Sequence, residues 1–144
     1  MKEAKVFALC ISEAKGTQKH EVASVELIPD HGIKGDAHAG NWHRQVSLLS
    51  EETVEAFRLR GVEVDNGAFG ENILIEGLNP VLLPVGTKLQ IADALLEVTQ
   101  IGKECHSHCR IYETVGDCIM PREGVFTKVL TGGSVKKGDR VHVL

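Results

Sequence analysis

The sequence predicts a mainly β (α+β) chain, with short strands forming a closed or nearly closed β-barrel and a few helices packed outside it. Three observations predict this. Apolar runs are brief and bounded by glycine, proline or aspartate; only two segments carry helix signals; and two stretches repeat a glycine turn followed by an alternating strand. A doubly wound parallel sheet would need a helix after nearly every strand, and those helices are missing.

Lys5 to Ile11 is a short apolar run that reads as a buried strand, broken by the turn chemistry of Ala14-Lys15-Gly16-Thr17-Gln18-Lys19. Val22, Val25, Leu27 and Ile28 make a second strand, stopped by Pro29 and the Asp30-His31-Gly32 cluster. A glycine-rich polar stretch from Gly32 through Gly40 follows, and then a strand over Val46, Leu48 and Leu49. Ser50 is placed to cap a helix. Glu51 and Glu52 suit its positive end, Arg58 and Arg60 its negative end, and Gly61 its stop. Leu49 and Val54 occupy the two positions of a hydrophobic staple. The pattern predicts a second helix from Pro121 towards Leu130, with Val125, Phe126, Val129 and Leu130 on one face and Gly132-Gly133 at its end. Ile73 to Ile75, Lys88 to Ile91, Leu95 to Thr99 and Arg140 to Leu144 are the remaining strands. The repeated stretches are Pro84 to Ile91 and Lys136 to Val143.

At 144 residues, with 42% apolar and 25% charged residues, the chain is sized and composed for a single domain over 1–144. A net charge of -4 argues against a general nucleic-acid binder. No apolar run approaches the roughly 18 residues that span a bilayer, so no membrane partner is expected. The N-terminal apolar stretch gives way at once to Ser12 and Glu13, unlike a signal peptide, so the expected location is cytoplasmic. Three of the four cysteines, Cys105, Cys109 and Cys118, fall within fourteen residues. That clustering favours metal or reactive-thiol chemistry over a disulfide framework.

The densest chemistry lies in Lys103-Glu104-Cys105-His106-Ser107-His108-Cys109-Arg110. If helical, this stretch stacks Cys105 and Cys109 one turn apart. Lys103, Arg110 and either imidazolium would favour a thiolate, the form that attacks electrophiles and binds soft metals. The plainer alternative is a pair of buried structural cysteines beside two solvated histidines. Zinc is a third reading, weakened because ligands crowded into one turn cannot all reach one ion. A second segment, Gly32 to Gln45, combines glycines that expose backbone N–H groups with His38, His43, Arg44 and the Trp42 ring; an ordinary surface loop competes with it. Lys15-Gly16-Thr17-Gln18-Lys19 has a hydroxyl and two lysines suited to phosphate, although it is not a P-loop and by itself reads as a solvated hairpin turn. Gly67 to Ile73 sets Asn72 where a strand begins, and Gly116 to Gly124 carries Arg122, whose plainer role is a first-turn helix residue.

Taken in order, these segments resemble the MOSC domain, the C-terminal module of molybdenum cofactor sulfurases, which also occurs as small stand-alone bacterial proteins. Gly35-Asp36-Ala37-His38-Ala39-Gly40, Phe69-Gly70-Glu71-Asn72-Ile73 and Cys109 with its neighbours carry the resemblance, which runs from Lys15 to the Gly138-Asp139 strand. It implies a β-rich, barrel-like fold and binding of the molybdenum cofactor (molybdopterin, or its tungsten variant), an anionic pterin whose dithiolene holds the metal. It implies that Cys109 ligates the metal or carries sulfur, with Cys105, four residues upstream rather than three, as the competing thiol. Lys15 falls where family members have a lysine facing the pterin phosphate, and Ser50 and Asn72 fall at other polar cofactor contacts. Thr17, His38, Arg44 and Arg122 complete the candidate cofactor-binding set. Gly70 stands where the mitochondrial amidoxime-reducing members look to have an arginine. The resulting expectation is a carrier of cofactor or sulfur, exchanging with sulfur donor or acceptor proteins of cofactor maturation. A reductase of N-hydroxylated compounds fed by external electron donors, and a zinc or soft-metal protein, are its alternatives.

Overall fold

A computed structural model describes residues 3–14, 17–61, 63–102 and 124–144 of the chain. Along it run Lys5–Ile11 (β1), His20–Val22 (β2), Ser24–Ile28 (β3), Gly32–Ile33 (β4), Val46–Ser50 (β5), the helix Glu51–Arg58 (α1), and Ile73–Glu76 (β6). A 3-10 turn at Pro80–Leu82 precedes Lys88–Ile91 (β7), Ala94–Ile101 (β8), Val125–Thr131 (β9), Gly133–Lys136 (β10) and Val141–Val143 (β11). The chain is mainly β, as its sequence predicts.

Eight strands form one sheet in the order β11-β7-β8-β9-β5-β6-β1-β2, and β10-β3-β4 form a second. The expected closed barrel is not found: among the described residues no continuous ladder joins the ends of the large sheet. A single antiparallel bridge, Lys5 to Arg140, ties β1 to the residue before β11. Most neighbours are antiparallel, as hairpin-length connections require. The exception is β5 and β6, which run parallel with Leu48 opposite Ile73 and Ser50 opposite Ile75. A parallel pair needs a long crossover, and α1 lies within it.

α1 follows from its sequence. The Ser50 hydroxyl accepts a hydrogen bond from the Thr53 amide at 3.3 Å, and Leu49 and Val54 are buried together. The helix lays Val54 and Phe57 on Ala8, Leu49, Leu74 and Phe69, the Phe57 and Phe69 rings meeting edge to face at 5.2 Å. Neighbouring positions on the same strands (Leu9, Leu48, Ile73, Ile75) turn the other way, into the main core with β3, β7, β8 and β9. The period of two along a strand sends alternate side chains to the two hydrophobic layers.

The predicted second helix is corrected. Val125–Thr131 is β9, paired to β8 on one side and β5 on the other, while 103–123, where that helix was to begin, lie outside the described residues. β9 is central, and Thr127-Lys128 splits its apolar residues into two pairs that repeat at helical spacing, so its sequence lacks the polar alternation that marks a half-buried strand. Gly132 and Gly133 do not end a helix but turn the chain from the large sheet into the small one. A Cβ at Gly132 would stand 2.7 Å from the Leu27 carbonyl oxygen, too close for any other residue. The two repeated stretches become β7 and β11, and they pair with each other, Val141 opposite Ile91 and Val143 opposite Leu89.

Candidate functional site

The parallel strands β5 and β6 begin side by side, and the polar residues around their amino ends form one connected cluster. Asn72, immediately before β6, is its hub. Its Oδ1 accepts from the Ser47 amide at 3.0 Å and the Ser47 hydroxyl at 3.1 Å. Its Nδ2 donates to the Cys10 carbonyl of β1 at 3.0 Å and to Asp36 Oδ2 at 3.2 Å. Both amide protons are therefore used within the chain, and Asn72 serves by bracing β1, β5 and the 34–45 loop.

Asp36 is buried in turn. Its Oδ1 accepts from the Ser12 amide at 3.0 Å and from Lys19 Nζ at 2.7 Å. Lys19 also reaches the Ser12 hydroxyl at 3.2 Å and His38 Nδ1 at 2.9 Å. Lysine and aspartate are almost never fully buried unless paired, and here they are paired with each other. The reading of Lys19 as a solvated turn lysine is corrected: its side chain is 1% exposed and that of Asp36 is 0% exposed.

Above this cluster lies a cavity of about 200 Å³ lined by His38, Trp42, Arg44, Ser47, Gly70, Asn72 and Phe126. Arg44 is its cation. The guanidinium carbon sits 4.7 Å from the Trp42 ring centre and 5.5 Å from that of Phe126. Its Nε is buried with no hydrogen-bond partner among the described residues. Trp42 is held by its own indole N–H, which donates to the His38 carbonyl at 2.9 Å. The single proton of the Ser47 hydroxyl is shared between Asn72 Oδ1 and the Gly70 carbonyl at 3.0 Å, which ties the cavity's far wall to the hub.

Glu71 supports that wall from behind. It is fully buried and accepts the amides of Gly67 at 2.9 Å and Phe69 at 3.0 Å, which shapes the turn leading to Gly70. Burial pushes its carboxyl up to about 6, against the opposing pull of those N–H groups. Burial, together with the charges of Glu71 and Glu21, pushes the Cys10 thiol up to about 12. That sulfur is an inert core group rather than a nucleophile.

Of the residues expected at a site, the structure brings His38, Arg44 and Asn72 to one cavity. Thr17 is exposed, its hydroxyl donating to the Ala14 carbonyl at 2.6 Å, and Ser50 is at the start of α1. Lys15, Cys105, Cys109 and Arg122 lie outside the described residues. The sequence singles out Lys19 as one of two turn lysines suited to phosphate but gives no sign that it pairs with Asp36, and it does not point to Ser12, Ser47 or Phe126 as site residues. Among the described residues no group of three or more His, Cys, Asp or Glu side chains could hold a metal. No helix among them is long and apolar enough to cross a membrane.

The structure thus combines a two-sheet β frame with a cation-bearing cavity at the start of its parallel pair. Solved structures share the frame. The YuaD protein from Bacillus subtilis aligns over 99% of this chain and 96% of its own, at 21% identity and a TM-score of 0.81. YiiM from Geobacillus stearothermophilus aligns over 98% of this chain and 75% of its own, at 18% identity and a TM-score of 0.73. YiiM from Escherichia coli covers 99% of this chain and 68% of its own at 18% identity, with a TM-score of 0.63. No curated protein matches the sequence. The MOSC domain matches residues 35–142, and the chain belongs to the MOSC domain family.

The described cavity can be set against the cofactor associated with that family. A buried Arg44 Nε–H with no partner among the described residues fits an anionic oxygen. About 200 Å³ is below the ~300–1,000 Å³ of pockets that enclose whole ligands, so this part fits one end of a pterin-sized molecule.

Proposed function

We propose that the protein is a cytoplasmic MOSC module that holds an anionic pterin cofactor of molybdenum or tungsten, or carries sulfur on Cys109, for delivery or maturation. The observation that carries this reading is Arg44. A guanidinium close to two aromatic rings, with its Nε–H buried and unmatched among the described residues, is costly until an acceptor reaches it. An anionic ligand supplies that acceptor, on a chain whose net charge of -4 would otherwise repel anions.

In this reading Arg44 grips the anionic end of the ligand beside His38, with Lys15 and Arg122 as further donors. Asn72 holds the frame beneath, and the thiols of Cys109 and Cys105 meet the metal. The bound cofactor would supply a dithiolene-held metal able to take a thiolate as ligand. Partners follow from the chemistry: proteins that donate or accept sulfur or cofactor.

The test is to purify the protein from molybdate-supplied cells and to measure metal, pterin and bound sulfur by elemental analysis and native mass spectrometry. Bound pterin with molybdenum or tungsten, or added sulfur, is expected, and Cys109→Ser should abolish metal or sulfur loading. Losing one charge-assisted hydrogen bond costs about 1.5–3 kcal/mol, so Arg44→Leu should weaken pterin retention roughly tenfold or more. Stoichiometric zinc without pterin or added sulfur would refute the proposal.

A further inference from the structure

Lys19 carries no role in the reading above, yet it is among the largest side chains that the fold buries completely. Its ammonium meets Asp36 Oδ1 at 2.7 Å, His38 Nδ1 at 2.9 Å and Ser12 Oγ at 3.2 Å. Stability alone does not account for such a pair, because a buried ion pair is often no better than well-packed hydrocarbon of the same volume.

Asp36 is the reason for the lysine. Two further donors converge on its carboxylate, the Ser12 amide that follows β1 at 3.0 Å and Asn72 Nδ2 at 3.2 Å. An ionised carboxyl group accepts at both oxygens and has no proton to place, which an amide or a hydroxyl in that position could not match. The hub therefore needs a carboxylate, and a carboxylate brings a negative charge. That charge lies one side chain below the cavity, since Asn72 bonds Asp36 and also lines the cavity that holds Arg44. Both members of the pair are buried, so salt in solution screens them little. Glu71, behind the same cavity wall, has its charge met by the Gly67 and Phe69 amides instead.

We propose that Lys19 is a positioning residue for anion binding that acts through Asp36: it cancels the hub's negative charge beneath the cavity, so that a ligand meets the charge of Arg44 undiminished. The ligand class served is an oxyanion of one or two negative charges, a sulfate, phosphate or carboxylate group. The inference rests on the cavity being an anion site, as in the reading above, but not on the anion being a pterin.

Two probes with the same head group and different charge, sulfate and methyl sulfate, provide the test on the full-length protein. The chain's single tryptophan, Trp42, lines the cavity against Arg44, so its fluorescence follows both titrations. Constant ionic strength at pH 8 keeps Glu71, which protonates at about 6, ionised throughout. Lys19→Met should weaken methyl sulfate binding roughly threefold to tenfold, and sulfate by the square of that factor, because Coulomb energy is proportional to ligand charge. Lys19→Arg keeps the charge and should stay within about threefold of wild type for both probes. Asp36→Asn should move the preference the other way, towards sulfate by roughly threefold to tenfold, and the double variant Lys19→Met/Asp36→Asn should return the wild-type ratio. Loosening of the hub affects both probes alike and cancels in that ratio. Equal losses for the two probes in Lys19→Met, a ratio unmoved by Asp36→Asn, or a wild type that takes neither anion would overturn the proposal. Should Lys19→Met not fold, Asp36→Asn and the double variant decide it. Protein that shows these shifts but is purified without pterin or added sulfur would remove the cofactor reading and leave the role of Lys19 standing.

Discussion

Replacing Asn72 by aspartate exchanges one NH₂ for an oxygen at constant shape, and the structure fixes what that exchange costs. Two donated hydrogen bonds, to the Cys10 carbonyl and to Asp36 Oδ2, become contacts between acceptors. Ionised, the new carboxylate would face Asp36 at 3.2 Å; at an effective dielectric constant of about 20 this repulsion is on the order of 5 kcal/mol. Protonation offers a cheaper route. Placing a proton at pH 7 on a carboxyl whose ordinary value is about 3.9 costs about 4 kcal/mol, and the acid then restores one donor of the two. The variant is therefore expected to lose roughly 4–6 kcal/mol at pH 7, counting ~1 kcal/mol for the second donor. In the fold this carboxyl binds its proton more tightly than in the unfolded chain. Its stabilising contribution is present at low pH and lost as pH rises, so the deficit against wild type should shrink by about 1.4 kcal/mol for each pH unit between 7 and 5. Urea unfolding of both proteins at pH 7, 6 and 5 measures the difference directly, and titrations common to both cancel. A deficit that does not change with pH would refute the hydrogen-bond assignment of Asn72.

Three further outcomes are expected. Glu71 protonates at about 6 in the fold against an ordinary value of 4.5, so stability should be greatest below pH 4.5 on its account. About 2 kcal/mol should be lost as pH rises through 6. Glu71→Gln should flatten that part of the denaturation profile while costing about 1–3 kcal/mol, because its NH₂ must face the Gly67 or Phe69 amide. Gly67 has φ +93 and its missing Cβ would collide with the Lys19 carbonyl; Gly67→Ala should lower stability by at least ~1–3 kcal/mol in thermal melts. Cys10, with its thiol pushed up to about 12, should resist alkylation at pH 8 in the native protein and react only at the rate of unfolding, as peptide mapping over time would show.

How much of this was legible in the sequence depended on whether a residue's neighbours in the chain were also its neighbours in space. The cap and staple of α1 are local, and Ser50, Leu49 and Val54 announce it. Strands with one wet face, such as β7 with its alternating burial, are equally plain. β9 was not, because Val125, Phe126, Val129 and Leu130 stand on either side of Thr127-Lys128 and fit a helical face as well as a core strand. The polar cluster is long-range throughout. Lys19 lies 17 residues from Asp36, and Asn72 lies 62 from Cys10. Nothing local distinguishes a lysine that folds inward from one in a wet turn. His38, Arg44 and Asn72 could be picked out by residue type, while the bracing role of Asn72 needed the geometry of its four hydrogen bonds.

The direction of the parallel pair has a consequence for how anions are attracted. In open α/β sheets, ligands gather outside the carboxyl ends of parallel strands, where a following helix points its positive pole at them. Here the helix starts at Glu51, directly after the carboxyl end of β5, whereas Arg44 and Ser47 stand at the opposite end. The amino end of α1 is thus at the other end of β5 from the cavity, and it is already occupied by Ser50, Glu51 and Glu52. Among the described residues the positive group at the cavity is a side chain, so the charge there is an editable property of a few positions rather than a fixed property of the backbone. A family built on this frame can change the charge it welcomes by exchanging residues such as Arg44 while leaving every strand in place.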